Sequence, residues 1–276
     1  MKTKKTITTI ALALTLGIIY TGCKKDKNEV VAPASTTTAT TTTTTATSTE
    51  SQNSICENSF SEIFTSITQI AEGNSNLRSS CPTITVDTTP ILSFPKTVTI
   101  DYGTGCNGKK GKLTAVFTGK FGAFGTIITI TADSNYSQGS NKINVGTHTI
   151  VTGLSNSGHK TFNLSIGGGH VMMGGGNVTW NSTRTVQWIE GDSTLDPMDD
   201  VYLISGSTTG TNLNGDAFSS TITTPLRVAT NCAWIESGII TVTTINNKTR
   251  TIDFGTGTCD NKATVTVDTT TYNITM

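Results

Sequence analysis

An all-β fold, an antiparallel sandwich or extended meander of sheets with one short N-terminal helix, follows from three observations. Beyond Cys81, segment after segment is rich in Thr, Val and Ile and is bounded by Gly, Asn, Asp or Ser, the mark of short strands joined by turns. Charged residues make up only 14% of the chain, and with abundant Thr this predicts long, flat sheets with hydroxyl-covered faces. Helical spacing occurs in one place: Phe60, Ile63, Phe64, Ile67, Ile70 and Ala71 recur at intervals of three and four, so a helix is expected from Ile55 to a stop at Gly73.

The chain opens with the basic Met1-Lys2-Thr3-Lys4-Lys5, an apolar run from Thr6 to Tyr20, and then Tyr20-Thr21-Gly22-Cys23. The apolar run, about fifteen residues, falls short of the ~20 a spanning helix needs and has the length of a signal-peptide core. Residues 1–23 resemble the lipobox of bacterial lipoproteins, with Tyr20 where Leu is usual. The resemblance implies that Cys23 is acylated, palmitate among its chains, and becomes the new N-terminus. Two or three acyl chains anchor stably where one binds reversibly. Lys24-Lys25-Asp26-Lys27-Asn28-Glu29 is similar to the charged export signals of Bacteroidota surface lipoproteins; it reads equally as a solvated cluster beside lipid headgroups. The expected address is the outer membrane, on its periplasmic or cell-surface side, with the membrane as a partner through the N-terminal lipid.

Removal of residues 1–22 takes away Lys2, Lys4 and Lys5, leaving 16 basic residues against 19 acidic. No basic field remains to displace counterions from phosphates, which argues against nucleic acid as a partner. From Ala34 to Ser51 the chain is almost entirely Thr, Ser and Ala, too poor in apolar surface to offset its ordering entropy. The plan is therefore a signal peptide over 1–22, a lipid anchor and disordered tether over 23–54, a helix and linker over 55–80, and a β-rich region over 81–276. Gly167–Gly176, with six glycines, is the best internal boundary.

Strands are expected at Thr83–Val86, Thr97–Tyr102, Lys112–Thr118, Thr126–Ala132, Lys142–Val151, Thr161–Ile166 and Val178–Ile189. The series continues at Val201–Ser205, Phe218–Thr223, Ile239–Ile245, Thr249–Phe254, Ala263–Val267 and Tyr272–Met276. Thr97-Val98-Thr99-Ile100-Asp101-Tyr102-Gly103-Thr104-Gly105-Cys106 recurs as Thr249-Arg250-Thr251-Ile252-Asp253-Phe254-Gly255-Thr256-Gly257-Thr258-Cys259. Cys81 and Cys232 stand upstream at similar distances. An extracytoplasmic address permits disulfides, and the repeat's symmetry selects Cys81–Cys106 and Cys232–Cys259 from the possible pairings. Cys56 is left over.

Several constellations could carry chemistry. Gly103-Thr104-Gly105-Cys106-Asn107-Gly108 spells G-x-G-x-x-G, but a strand follows where a dinucleotide site needs a helix. Asp253-Phe254-Gly255 spells the kinase magnesium triplet without the surrounding kinase signatures. Glu190, Asp192, Asp196, Asp199 and Asp200 form the densest acidic cluster, a candidate calcium site by ligand type; a solvated loop is the simpler reading, and no other cofactor is indicated. His148, His159 and His170 recur at intervals of eleven, with Met172 and Met173 nearby as soft donors. Trp180 and Trp188 share one strand face, with Trp234 and Tyr202 as neighbours, either as a sugar-stacking platform or as core; Arg184 on the same face implies a bulge or a paired charge.

Taken together, the lipobox, the Thr tether, the Ile-Asp-aromatic-Gly-Thr-Gly motifs and Cys259-Asp260-Asn261 resemble lipoproteins of the Bacteroidota. That resemblance implies an address and an architecture but no activity. The expected function is a lipid-anchored, extracytoplasmic, non-enzymatic binding or structural module, its partners glycans or other surface proteins. The alternative is an enzyme acting on polysaccharide with carboxylates of the 190–200 loop as acid and base, which requires a pair ~5–10 Å apart.

Overall fold

The computed structural model describes residues 48–72, 81–87, 93–155, 157–194, 196–245 and 248–276. The expected signal peptide, Cys23 and the tether as far as residue 47 lie outside the described residues. Helix α1 spans Thr49–Ala71, with Ser48 as its N-cap accepting the amide of Ser51 at 3.2 Å. Its start corrects the tether, which the sequence extends to residue 54. Residues 49–54 have little apolar surface, yet they are buried because the sheet supplies partners. Asn212 Nδ2 donates to Thr49 Oγ1 at 3.0 Å, the Leu213 amide donates to Gln52 Oε1 at 2.9 Å, and Ser220 Oγ donates to Asn53 Oδ1 at 3.3 Å. Periodicity cannot reveal a helix turn held by hydrogen bonds from 160 residues away.

Sixteen strands follow: β1 (Thr83–Val86), β2 (Lys96–Asp101), β3 (Lys109–Lys110), β4 (Lys112–Phe117), β5 (Ile127–Ala132), β6 (Ser137–Gln138), β7 (Asn141–Asn144), β8 (Thr147–Leu154), β9 (Lys160–Met173), β10 (Gly176–Glu190), β11 (Val201–Thr211), β12 (Ala217–Ala229), β13 (Ser237–Thr244), β14 (Thr249–Thr256), β15 (Lys262–Val267) and β16 (Thr270–Thr275). They form one open antiparallel sheet whose main path runs β1-β2-β4-β5-β8-β9 and then in chain order to β16, with β3, β6 and β7 as a side branch joined at β9. Of the two expected architectures, the meander is the one formed.

The sheet is not flat. It curls around α1, whose side chains meet strands at the β16 end of the path, in its middle and on the side branch. Glu50 bonds Arg250 of β14 and Tyr272 of β16, while Phe60 packs beside His148 of β8 and Lys109 of β3 pairs with Glu62. The strands alternate inward apolar and outward hydroxyl residues with period two. On the convex face Thr129, Thr149, Ser165, Thr183, Ser207, Thr221, Thr241, Thr251, Thr266 and Thr271 lie side by side in register, one per strand from β5 and β8 to β16. The hydroxyl-covered face expected from composition is therefore present, wound round a helix.

Inside, Phe60, Ile63, Phe64 and Ile67 of α1 are buried against the concave face. Phe60 stacks on Trp180 with ring centroids 4.6 Å apart, and Phe64 meets Phe162 and Tyr202 edge-on at 5.5 and 5.2 Å. Burying each such ring removes enough apolar surface to contribute about 1.5–3 kcal/mol. The void left between α1 and β9–β11 is only about 10 Å³, near the size of one water.

Two boundaries differ from expectation for steric reasons. Gly167–Gly176 is not a domain boundary: β9 runs through it and turns directly into β10, paired from Met173–Gly176 to Thr161–Gln187. Gly169 has no side chain because a Cβ there would stand 3.0 Å from the Phe60 ring. Gly169 is the dent that seats Phe60 of the helix. The expected Lys142–Val151 strand breaks into β7 and β8 at Gly146, where φ is +58° and a Cβ would meet Gly167 O at 2.3 Å. This break sends β7 to the distal half of β9 and β8 to its proximal half.

Candidate functional site

The two repeats expected from the sequence have the same turn chemistry. Asp101 Oδ1 accepts the Gly103 amide and Asp253 Oδ1 accepts the Gly255 amide, each at 2.8 Å. Both Asp residues are committed to turns, which accounts for the kinase-like triplet. Cys81–Cys106 and Cys232–Cys259 are paired, each with Cα atoms 5.8 Å apart, and Cys56 is a buried free thiol. These are the pairings the repeat selects.

The tertiary fold brings the cysteine-bearing segments to opposite sides of α1. Because the sheet does not close, one stripe of the helix (Ile55, Asn58, Glu62, Gln69 and Ile70) stays partly open between them. Two adjoining hollows of about 360 and 260 Å³ lie along it. One lip carries Pro82, Tyr102, Asn107 and Gly108 with the β6–β7 turn; the other carries Asn231, Cys232, Ala233 and Trp234. Where the hollows meet, Lys109 Nζ stands 3.1 Å from Glu62 Oε1 and donates to Ser66 Oγ at 3.0 Å, tying the N-terminal lip to the helix. Gln69 Nε2 donates to Thr230 O at 3.0 Å and ties down the other lip. The result is a groove with a helical floor and turn-built walls.

Among the aromatics singled out from the sequence, Trp234 alone lines this groove, half-buried against Val201, Ala229 and Cys232. Trp180, Trp188 and Tyr202 are core side chains, 1%, 5% and 0% exposed, and no sugar ring can reach their faces. Arg184 on that face is the paired charge: its Nε donates to Glu57 Oε1 at 2.9 Å, its second amino group to Glu57 Oε2, and its guanidinium lies 5.3 Å from the Trp180 ring.

The 190–200 carboxylates do not converge. Glu190 pairs with Arg227 at 3.0 Å, Asp196 accepts the Met198 amide at 3.0 Å, and Asp199 accepts Thr194 Oγ1 at 3.0 Å, while Asp192 is exposed. Asp200 turns inward, accepting Trp188 Nε1 at 3.0 Å and Tyr202 Oη at 3.3 Å. Its other neighbour is Glu72, at the C-cap of α1. Burial first, and then the hydrogen bond to Asp200 and its charge, push the Glu72 carboxyl up to about 9. Burial also raises Asp200, against the hydrogen bonds from Glu72, Trp188 and Tyr202 that lower it. The two carboxyls are hydrogen-bonding neighbours, closer than the gap that glycoside hydrolysis needs.

Among the described residues no group of three or more His, Cys, Asp or Glu is placed to hold a metal ion. His148 is buried beside Phe60, with desolvation pulling it down to about 4, and its strand neighbour is Ile166; His170 lies opposite Thr179 and Asn144. The interval of eleven does not gather the histidines.

Sequence reasoning missed Asn58, Glu62, Lys109 and Asn141 of the groove, and Glu72. A faint signal was present: Ile55, Asn58, Glu62 and Gln69 keep helical spacing on the side opposite the apolar stripe. Which lips would flank that side was not encoded locally. No family model, curated protein or solved structure matches the chain.

Proposed function

We propose that this chain is a lipid-anchored, extracytoplasmic binding module, held at the outer membrane through Cys23 and presenting the groove along α1 to its ligand. The observation that carries the reading is the groove itself, a concave strip of polar side chains between two disulfide-bearing lips. Small disulfide-stapled turns suit an oxidising compartment. The basic, apolar and small-residue order that ends at Cys23 supports the anchor. The Thr-rich stretch beyond it would hold the folded part away from the bilayer.

Metabolic labelling with a palmitate analogue, followed by membrane fractionation, tests the anchor. Wild type should take up label and sediment with outer membranes, and Cys23→Ser should do neither. Label retained by Cys23→Ser would remove the anchor from the proposal. No helix among the described residues is long and apolar enough to cross a membrane.

A further inference from the structure

Resting on the groove as the binding site, we infer that its ligand is an uncharged, linear oligosaccharide lying along α1. Charge points this way first. Of the side chains lining both hollows only Glu62 and Lys109 are charged, and they neutralise each other at 3.1 Å. An anionic or cationic ligand would meet no unpaired side-chain counter-charge there.

Hydrogen-bonding capacity points the same way. Asn58, Asn107, Asn141 and Asn231 line the groove, and among the described residues none of their carboxamides is engaged by another side chain. A carboxamide offers two donors and an acceptor, the complement of a ring bearing neighbouring hydroxyls. Trp234 supplies an aromatic surface among these amides, and a large flat ring with a polar edge pairs apolar sugar faces with polar rims.

Shape separates a glycan from a peptide. An extended peptide that binds by strand addition needs a free strand edge, where its main chain finds continuous partners. Here the lips are largely turns, at Asn107–Gly108, Gly139–Ser140 and Asn231–Ala233. Side chains rather than a backbone ladder face the ligand. The floor from Ile55 to Ile70 is roughly 22 Å long at the helical rise, room for several rings in line.

The test uses the folded protein with both disulfides intact and a panel of neutral linear oligosaccharides (β-glucans, mannans and xylans), read by calorimetry and an immobilised array. The expected result is binding that changes little across about 50–500 mM NaCl, since no ion pair with the ligand is involved. Trp234→Ala should weaken it about tenfold or more. Because Trp234 also packs on Cys232, Asn58→Arg serves as the second variant: it leaves that packing alone and projects a long charged chain into the groove. Thermal melts monitor folding of both. No binding to any neutral glycan, or binding only to charged ones, overturns the inference. If the neutral panel fails while phage-displayed peptides bind and Asn58→Arg abolishes that binding, the groove stands as a site and the glycan is wrong. Neutral-glycan binding that Asn58→Arg leaves unchanged overturns both.

Discussion

Two titratable groups, buried His148 and half-buried Glu72, give the protein opposing responses to pH. His148 is held down to about 4 by desolvation from an ordinary value near 6.5. Between those values the unfolded chain binds a proton that the folded chain refuses, so stability falls as pH drops through this window. Glu72 works the other way. With its carboxyl raised from about 4.5 to about 9, the folded state holds a proton that the unfolded chain has released, and stability falls as pH rises across that range. Urea midpoints should be nearly level between about pH 4.5 and 6.5, where the two effects cancel, and fall from about 6.5 to 9, where Glu72 acts alone. His148→Leu should extend that fall down toward about pH 4.5. Glu72→Gln, which keeps a hydrogen-bond donor toward Asp200, should remove the alkaline fall and expose a loss of stability as pH drops from about 6.5 to 4. Equal profiles in wild type and both variants would remove these assignments. Cys56 has its thiol pushed up by burial and then by the Glu57 charge; a thiol reagent should label it only as fast as the protein unfolds. Of these residues the sequence singled out His148 and Asp200, for metal chemistry that the fold does not assemble. Their environment is made by residues far away in the chain.

At the scale of elements, α1 and β10 are the pair on which the core depends. The Glu57–Arg184 pair joins them across 127 residues, with side chains 2% and 3% exposed. Arg184→Leu leaves a carboxylate buried alone and should cost about 3–5 kcal/mol in a denaturation titration. Glu57→Leu with Arg184→Leu should recover most of that loss, since an apolar pair of similar volume replaces two desolvated charges. If the double variant is no more stable than the single, the pair is not the cause. Phe60→Ala should cost a similar amount, about 3–5 kcal/mol, by emptying the site between Trp180 and Gly169. The charged position at 184 was legible from the strand pattern, as one polar residue among inward apolar ones. Its partner was not, because nothing local on the helix marks Glu57 as inward. The glycines at 167–169 are legible as unusual, but that Gly169 leaves room for the Phe60 ring shows only once the helix is placed against the sheet.

For the whole molecule, the two disulfides and the helix between them decide the shape of the groove. Each bridge closes a loop worth roughly 3–4 kcal/mol in the chain-entropy model. Cys106→Ser and Cys259→Ser should each lower stability by about that amount, measured under non-reducing conditions. The losses should add, because the lips stand on opposite sides of α1. Losses near zero would mean that sheet pairing alone holds the lips. What can be read along the chain is whatever acts over a few residues: alternation that makes strands, the turn motif repeated at 97–106 and 249–259, and through that symmetry the cysteine pairs. Even the hydroxyl face follows from alternation, since every second residue of a strand points the same way. The curl, the polar first turns of α1, the buried ion pair and the open seam belong to the tertiary structure. Each depends on which distant segments meet, and a helix of Thr, Ser and Asn becomes a core element only when a twisted sheet wraps it and supplies its hydrogen bonds.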